Sequence, residues 1–152
     1  MAVVTLVAGC GFHLQGALTT PAEMERTYIA TDDRHSQFYR ELRIQLQASG
    51  VSLSETEAGA TATFSILYDD TAQRVLSVSA RNVPTEYEVY YTIQYAIDNG
   101  AERLLELQTL TGTRDYTYDS TLVLGKAREE ELLRDAIVKD LVRIVLKQVS
   151  TL

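Results

Sequence analysis

TEYEVYYTIQYAIDNG, residues 85–100, is the stretch that decides the fold of this chain. Apolar side chains alternate from Tyr87 to Ile97, and polar ones such as Glu88 and Gln94 stand between them. This period of two predicts a β-strand with one buried and one polar face. The pair Asn99-Gly100 then predicts a hairpin, because it accepts positive φ at both turn positions.

Further strand patterns flank this stretch on both sides. Residues 62–68 alternate between apolar and polar, and a second apolar patch at 75–78 continues the same strand after a bend. Residues 81–84, Arg-Asn-Val-Pro, predict a turn between this strand and the one that opens at residue 85. Residues 104–118 predict the return strand, whose threonine-rich face indicates an exposed or partner-covered position.

Two amphipathic helices and a short first strand complete the pattern. Residues 26–30 predict a short strand. Ser36 is predicted to cap a helix that ends near Gly50, and residues 52–61 are predicted to form a loop. A long helix is predicted over 126–149, with a buried stripe of Leu133, Ile137, Leu141, Ile144 and Val145. We therefore predict an α+β fold of order β-α-β-β-β-α, with two helices packed on one face of a mainly antiparallel four-stranded sheet.

The composition limits the classes of function. The chain has 152 residues, enough for one domain, and its 21 acidic and 14 basic residues give a formal charge of -7. Such a charge argues against nucleic acid as a partner and against general binding to anionic lipid. An anionic ligand therefore requires a local basic cluster. With a single Cys, an internal disulfide is excluded.

The single cysteine lies in a pattern typical of bacterial lipoproteins. LVAGC, residues 6–10, combines a short apolar run with small residues before Cys10, which predicts cleavage and acylation at Cys10. The alternative is a lone cysteine that serves as a small core residue. On the lipoprotein interpretation, residues 1–9 are a signal segment, 10–25 a lipidated N-terminus and tether, and 26–152 a single α+β domain. A complete leader also has a basic n-region, and Lys and Arg are absent before Cys10.

Catalytic and metal-binding patterns are weak throughout the sequence. His13 and His35 have no metal-ligand spacing, and no Gly-x-Ser-x-Gly or phosphate-binding glycine motif accompanies them. We therefore expect no catalytic site, no metal and no cofactor. A small lipid-anchored hydrolase that uses His35 remains the enzymatic alternative.

Two cations that are distant in sequence are predicted to lie at one end of the sheet. In a meander, the end of the strand before Arg81 and the end of the strand before Lys126 fall at the same edge. Arg114 or Arg128 could join them there. The alternative is that these are scattered solubility charges.

Four short stretches resemble one family, the LPS-assembly lipoproteins called LptE. They are CGFHL at 10–14, LQASGV at 46–51, TEY at 85–87 and TRDY at 113–116. The resemblance follows nearly the whole chain in its order of elements, and the CGFHL start is its most specific part. We expect the chain to be a member of this family.

The resemblance implies an outer-membrane lipoprotein that is lipid-anchored on the periplasmic side. Family members plug the lumen of a large β-barrel, LptD, and the pair delivers lipopolysaccharide to the outer leaflet. The basic residues that contact lipopolysaccharide in the family correspond, by motif, to Arg81 and Lys126. Their role would be charge-assisted bonding to lipid phosphates. A periplasmic lipoprotein that activates a cell-wall synthase is the competing function.

Overall fold

The computed structural model describes residues 20–117 and 123–152, with residues 123–126 described as backbone only. Its main feature is a five-stranded sheet of order β2-β1-β3-β4-β5. In chain order, the elements are β1 (Arg26–Ala30), α1 (Gln37–Ala48), β2 (Ser52–Ser54), β3 (Ala62–Val78), β4 (Pro84–Asp98), β5 (Arg103–Thr117) and α2 (Val123–Val149).

The predicted α+β class with two helices is confirmed, whereas the predicted four-stranded, mainly antiparallel sheet is wrong. The sheet is mixed, because β1 runs parallel to both of its neighbours, pairing Thr27 with Leu53 of β2 and Ile29 with Phe64 of β3. The extra strand β2 lies inside residues 52–61, which were predicted to be a loop. Three residues are too few to show an alternating pattern, so the parallel partner defines this strand.

The long antiparallel strands β3 and β4 are present, as the alternation of apolar and polar residues predicts. β3 is one strand of 17 residues with a register shift between Ile66 and Tyr68, close to the predicted bend. The hairpin at residues 98–103 is also confirmed, but its turn is not the predicted one. Gly100 has a positive φ of 83° and Asn99 does not. Instead, the Asn99 side-chain oxygen accepts hydrogen bonds from the backbone N–H groups of Ala101 and Glu102, at 3.1 and 2.8 Å.

The first helix begins and ends where its sequence signals predict. The Ser36 hydroxyl accepts a hydrogen bond from the backbone N–H of Tyr39 at 3.0 Å, which satisfies one of the free donors of the first turn. The helix ends at Ala48, and Gly50 follows with a φ of 90°. Glycine adopts this left-handed conformation without the Cβ clash that other residues meet.

The second helix begins at Val123, three residues before the predicted start at 126, and packs closely on β5. At Gly112 a Cβ atom would come within 2.5 Å of Ile137 Cγ2, so the absence of a side chain there permits the contact. Arg114 of β5 also pairs with Asp140 of α2. These contacts place α2 over the face of β5 that carries Gly112 and Arg114, while the threonine-rich face predicted to be exposed or partner-covered is exposed.

A single core joins both helices to one face of the sheet. The odd-numbered residues of β4 from Val89 to Ile97 are all buried, and α1 contacts α2 above them. The largest fully buried side chains come from both helices and from β3 and β4, and include Phe38, Leu42, Phe64, Ile93, Tyr95, Ile137 and Leu141. Helix packing therefore covers the face that the alternation of residues 87–97 predicted to be buried.

Residues just before β1 are packed against the domain. Met24 is fully buried in the core, and the Thr20 hydroxyl donates a hydrogen bond to the backbone oxygen of Ser49 at 3.1 Å. The described part of the predicted 10–25 tether thus already contacts the fold, while the division of the whole chain into three segments stays a prediction. None of the helices within the described ranges is long and apolar enough to cross a membrane.

Candidate functional site

Arg81 lies at the apex of the hairpin that joins β3 to β4. The backbone N–H of Ser79 donates to the oxygen of Val83 at 2.8 Å, and the N–H of Asn82 donates to the oxygen of Ser79 at 2.9 Å. Asn82 has a φ of 58°. This is a three-residue loop, a tight turn followed by a left-handed residue, in which Asn is tolerated better than most side chains. The exposed Arg81 side chain therefore stands at the outermost point of the sheet.

Polar side chains fix the shape of this turn from the inside. The Ser79 hydroxyl accepts a hydrogen bond from the Val83 N–H at 3.2 Å. Behind it, the Ser77 hydroxyl lies 2.8 Å from that of Thr85 and also donates to Glu86. Pro84 pairs with Val78 at the first position of β4, where a missing N–H is tolerated. The turn is thus held by its own residues.

Three other cations described near this end of the sheet have acidic partners. Arg74 pairs with Glu88 at 2.5 Å and lies 5.8 Å from the ring centre of Tyr90. Arg114 pairs with Asp140, and Arg128 with Glu131 at 2.9 Å. Within the described part of the chain, Arg81 makes no ion pair. Arg114 and Arg128, which the sequence analysis placed near Arg81, are thus already partly neutralised.

Lys126 belongs to the first turn of α2, and its side chain lies outside the described residues. The register places the ends of β3 and β5 at the same end of the sheet, since Val78 pairs with Pro84, and Thr117 with Glu86. α2 runs from that end toward the opposite one, where Gln148 accepts a hydrogen bond from the Tyr95 hydroxyl. The role of Arg81 and Lys126 as lipid-binding residues stays a prediction. Cys10, the predicted lipidation site, also lies outside the described residues.

A second concave site lies between the beginnings of the two helices. It is a cavity of about 550 Å³ whose lining includes Asp33, His35, Asp69 and Glu130. The Tyr91 hydroxyl donates to Asp69 Oδ1 at 2.6 Å; burial and this carboxylate raise the pKa of Tyr91 well above its ordinary value. Ser36, the nucleophile nearest to His35 in sequence, uses its hydroxyl to cap α1.

This cavity gives little support to metal or hydrolytic chemistry. Among the described residues, no group of three His, Cys, Asp or Glu side chains is arranged to hold a metal ion. The carboxylates would also repel an anionic ligand. The hairpin apex, with an exposed cation, is therefore the better candidate for binding an anionic ligand.

The sequence analysis missed one feature of the apex. Val75, Leu76, Val78 and Val83 each remain about half exposed, although the first three form an apolar patch in a predicted strand. The sequence does show several aliphatic residues on both sides of a predicted turn. Its exposure depends on where the helices lie, which the local pattern does not encode.

Solved structures give the class to which this fold belongs. An NMR structure of an uncharacterized lipoprotein B from Nitrosomonas europaea superposes with a TM-score of 0.77 and 27% identity, over 93% of this chain and 91% of that one. A crystal structure of a minor lipoprotein from Acinetobacter baumannii gives a TM-score of 0.69 and 23% identity, over 84% of this chain and 92% of that one. The fold is that of small bacterial lipoproteins.

The family follows from the sequence comparison. The family model LptE, described as "Lipopolysaccharide-assembly", matches residues 24–149, and the chain belongs to this family. The LPS-assembly lipoprotein LptE of Pectobacterium atrosepticum is 22% identical over 150 residues, 98% of this chain and 81% of the relative. That of Yersinia pestis is 23% identical over 149 residues, 97% of this chain and 72% of the relative. The family predicted from the short matches is confirmed.

Proposed function

We propose that this protein is a non-catalytic outer-membrane lipoprotein that binds lipopolysaccharide and plugs and assists an LptD-type β-barrel. Membership of the LptE family across nearly all of the folded domain is the observation that carries the proposal. In this role the protein takes part in the transport of lipopolysaccharide to the outer leaflet. Acyl chains on Cys10 hold it at the periplasmic side of the outer membrane; two or more chains give stable anchoring.

Lipopolysaccharide binding is assigned to Arg81 together with Lys126. The hairpin holds Arg81 at an apex where its guanidinium is exposed and has no acidic partner among the described residues. A guanidinium donates two parallel hydrogen bonds to a phosphate, which makes it a strong ligand even in an acidic protein. Lys126 adds a second positive charge from the start of α2.

The barrel-plugging role is supported by the face of the sheet that the helices leave open. The even-numbered residues of β4 point to this face and include Glu86, Glu88, Thr92 and Gln94. The neighbouring residues of β5 are Thr109, Thr111 and Thr113, and the Thr92 and Thr111 hydroxyls lie 2.9 Å apart. Large outer-membrane barrels have polar interiors, so a polar sheet face suits a plug inside one.

Binding to lipopolysaccharide tests the site directly. We expect the double variant Arg81→Glu with Lys126→Glu to lose affinity by about tenfold or more, since two attractive charges become repulsive. The matched control is Arg103→Glu with Lys147→Glu, which makes the same charge change at the opposite end of the sheet. The control should stay close to the wild type. Equal binding by both double variants would reject the site.

Membrane extraction tests the partner and the anchor. The tagged chain should co-purify with a large β-barrel, and its intact mass should show cleavage before Cys10 with acylation on that residue. Recovery of a peptidoglycan synthase in place of a barrel would favour the cell-wall alternative.

A further inference from the structure

Four exposed aliphatic side chains lie in the strand ends that flank Arg81. Val75 pairs with Tyr87 on the helix-side face of the sheet and Val78 with Pro84 on the other face, so they surround the turn on both faces. Val75, Leu76, Val78 and Val83 are 46%, 45%, 54% and 46% exposed. Eleven large hydrophobic residues are exposed in the described part of the chain, so more than a third of them fall within nine positions. Single exposed apolar residues are normal, whereas several within one short segment are typical of an interaction surface. We call residues 75–85 the hairpin tip.

The charge of the hairpin tip differs from that of the rest of the molecule. Its sequence, VLSVSARNVPT, contains Arg81 as its single charged residue, although the chain carries a net charge of -7. Carboxylates return immediately outside it, at Glu86 and Glu88. The tip thus combines an apolar surface with a positive charge. The carboxylate nearest to it in sequence, Glu86, accepts a hydrogen bond from Ser77 at 2.8 Å.

We propose that the hairpin tip binds the acyl chains of lipopolysaccharide, with Arg81 on the adjoining phosphate. This inference rests on the proposed function and adds the lipid part of the ligand to it. Arg81 stands beyond the Val78–Pro84 pair, and the aliphatic side chains extend about 10 Å behind it along the strand. A phosphorylated lipid has the same order of groups, a charged head followed by apolar chains.

The tip is preformed, so binding does not require that it first become ordered. The Ser77–Thr85 hydroxyl contact and the Ser79–Val83 backbone bond, both 2.8 Å, close the hairpin across its two strands. At its base, the rings of Tyr87 and Tyr116 stack with centroids 5.7 Å apart. A rigid surface loses little conformational entropy on binding.

A protein surface, such as the wall of the barrel, is the other conceivable occupant of the tip. Protein interfaces commonly combine an apolar core with a polar rim. The tip has no carboxylate of its own, and its one charge fits an anion. These features favour a phosphorylated lipid, and the experiment below separates the two occupants.

The test compares two probes, intact lipopolysaccharide and fully deacylated lipopolysaccharide that keeps its phosphates. The full chain should bind the intact form about tenfold or more tightly. Leu76→Thr with Val78→Thr places β-branched side chains at both strand positions and removes apolar surface. This variant should lose about tenfold in affinity for the intact form and bind the deacylated form like the wild type. Arg81→Glu should weaken binding of both forms.

The matched control is Leu67→Thr with Leu107→Thr, two strand positions outside the tip that are 60% and 53% exposed. It should bind both probes like the wild type, and thermal melting should show that all variants fold. If the wild type and the tip variant bound intact lipopolysaccharide equally well, the inference would be overturned, while the proposed function would stay in place. A tip variant that binds lipopolysaccharide normally but no longer co-purifies with the barrel would overturn it in the same way. A wild-type chain that binds neither probe would contradict the proposed function and, with it, the inference.

Discussion

The two ends of the β3–β4 hairpin use the same strands for opposite purposes. At the end near the helices, Phe64 and Tyr95 are fully buried and their rings stack with centroids 5.1 Å apart. At the other end, Val78 and Val83 stay about half exposed beside Arg81. Alternation makes both ends strands, and helix coverage alone makes one of them core. Apolar side chains that no described helix covers contribute little to the free energy of folding. We therefore assign this end of the hairpin to ligand binding.

The largest expected effect is the difference in stability loss between a substitution at the packed end and one at the exposed end. Phe64→Ala removes a fully buried ring and should lower the free energy of unfolding by about 3–5 kcal/mol. Val78→Ala, at the exposed end, should cost roughly 0.5–1 kcal/mol, mostly through lost β propensity. Urea denaturation of both variants measures the difference. Similar losses would show that the tip is part of the core.

The next effect concerns the contact that brings α2 onto the sheet. Gly112→Ala places a Cβ atom within 2.5 Å of Ile137 Cγ2, so the Ile137 side chain or the helix must shift, at a cost of about 1–3 kcal/mol. Thr111→Ala, the neighbouring position on the open face, serves as the control and should have a much smaller effect. If Gly112→Ala were as stable as the control, α2 would not pack on β5 as described.

A smaller loss of stability is expected at high pH, and it comes from a tyrosine of the packed end. Burial raises the pKa of Tyr95 to about 12, above the ordinary value of 10.0, so the folded state favours the neutral phenol. The unfolded chain loses this proton first; stability should therefore hold below pH 10 and fall between about pH 10 and 12, by roughly 1–2 kcal/mol.

Tyr95→Phe should flatten this decline when denaturation is followed at pH 9 and pH 11. Tyr91→Phe should act in the same direction, because the pKa of Tyr91 is raised by burial and by Asp69. An unchanged slope in both variants would show that neither tyrosine is held neutral by the core.

The same contrast explains what the sequence could and could not predict. The Ser36 cap, the Gly50 stop and the long β4 strand follow from local patterns, and each is confirmed. β2 was missed because its three residues are a strand only by pairing with β1. The sheet is mixed also because β1 runs parallel to β3, an orientation that the local pattern of neither strand encodes.

For the candidate site, the sequence placed the turn that carries Arg81, because Arg-Asn-Val-Pro is a local signal. It could not show that Val78 and Val83 remain exposed, since exposure depends on where α1 and α2 end their cover of the sheet. It also predicted a basic cluster at this end that would include Arg114 or Arg128. Both pair with carboxylates of α2: Arg114 with Asp140 across the packed sheet and helix, and Arg128 with Glu131 one turn along the same helix.

Hydrogen–deuterium exchange of the full chain, with and without lipopolysaccharide, tests the central claim most directly. The account predicts slower exchange in peptides that cover residues 75–85 and little change in peptides that cover the packed segments 38–46 and 93–97. Protection confined to the packed segments, or to the acidic cavity between the helices, with the tip unchanged, would contradict it.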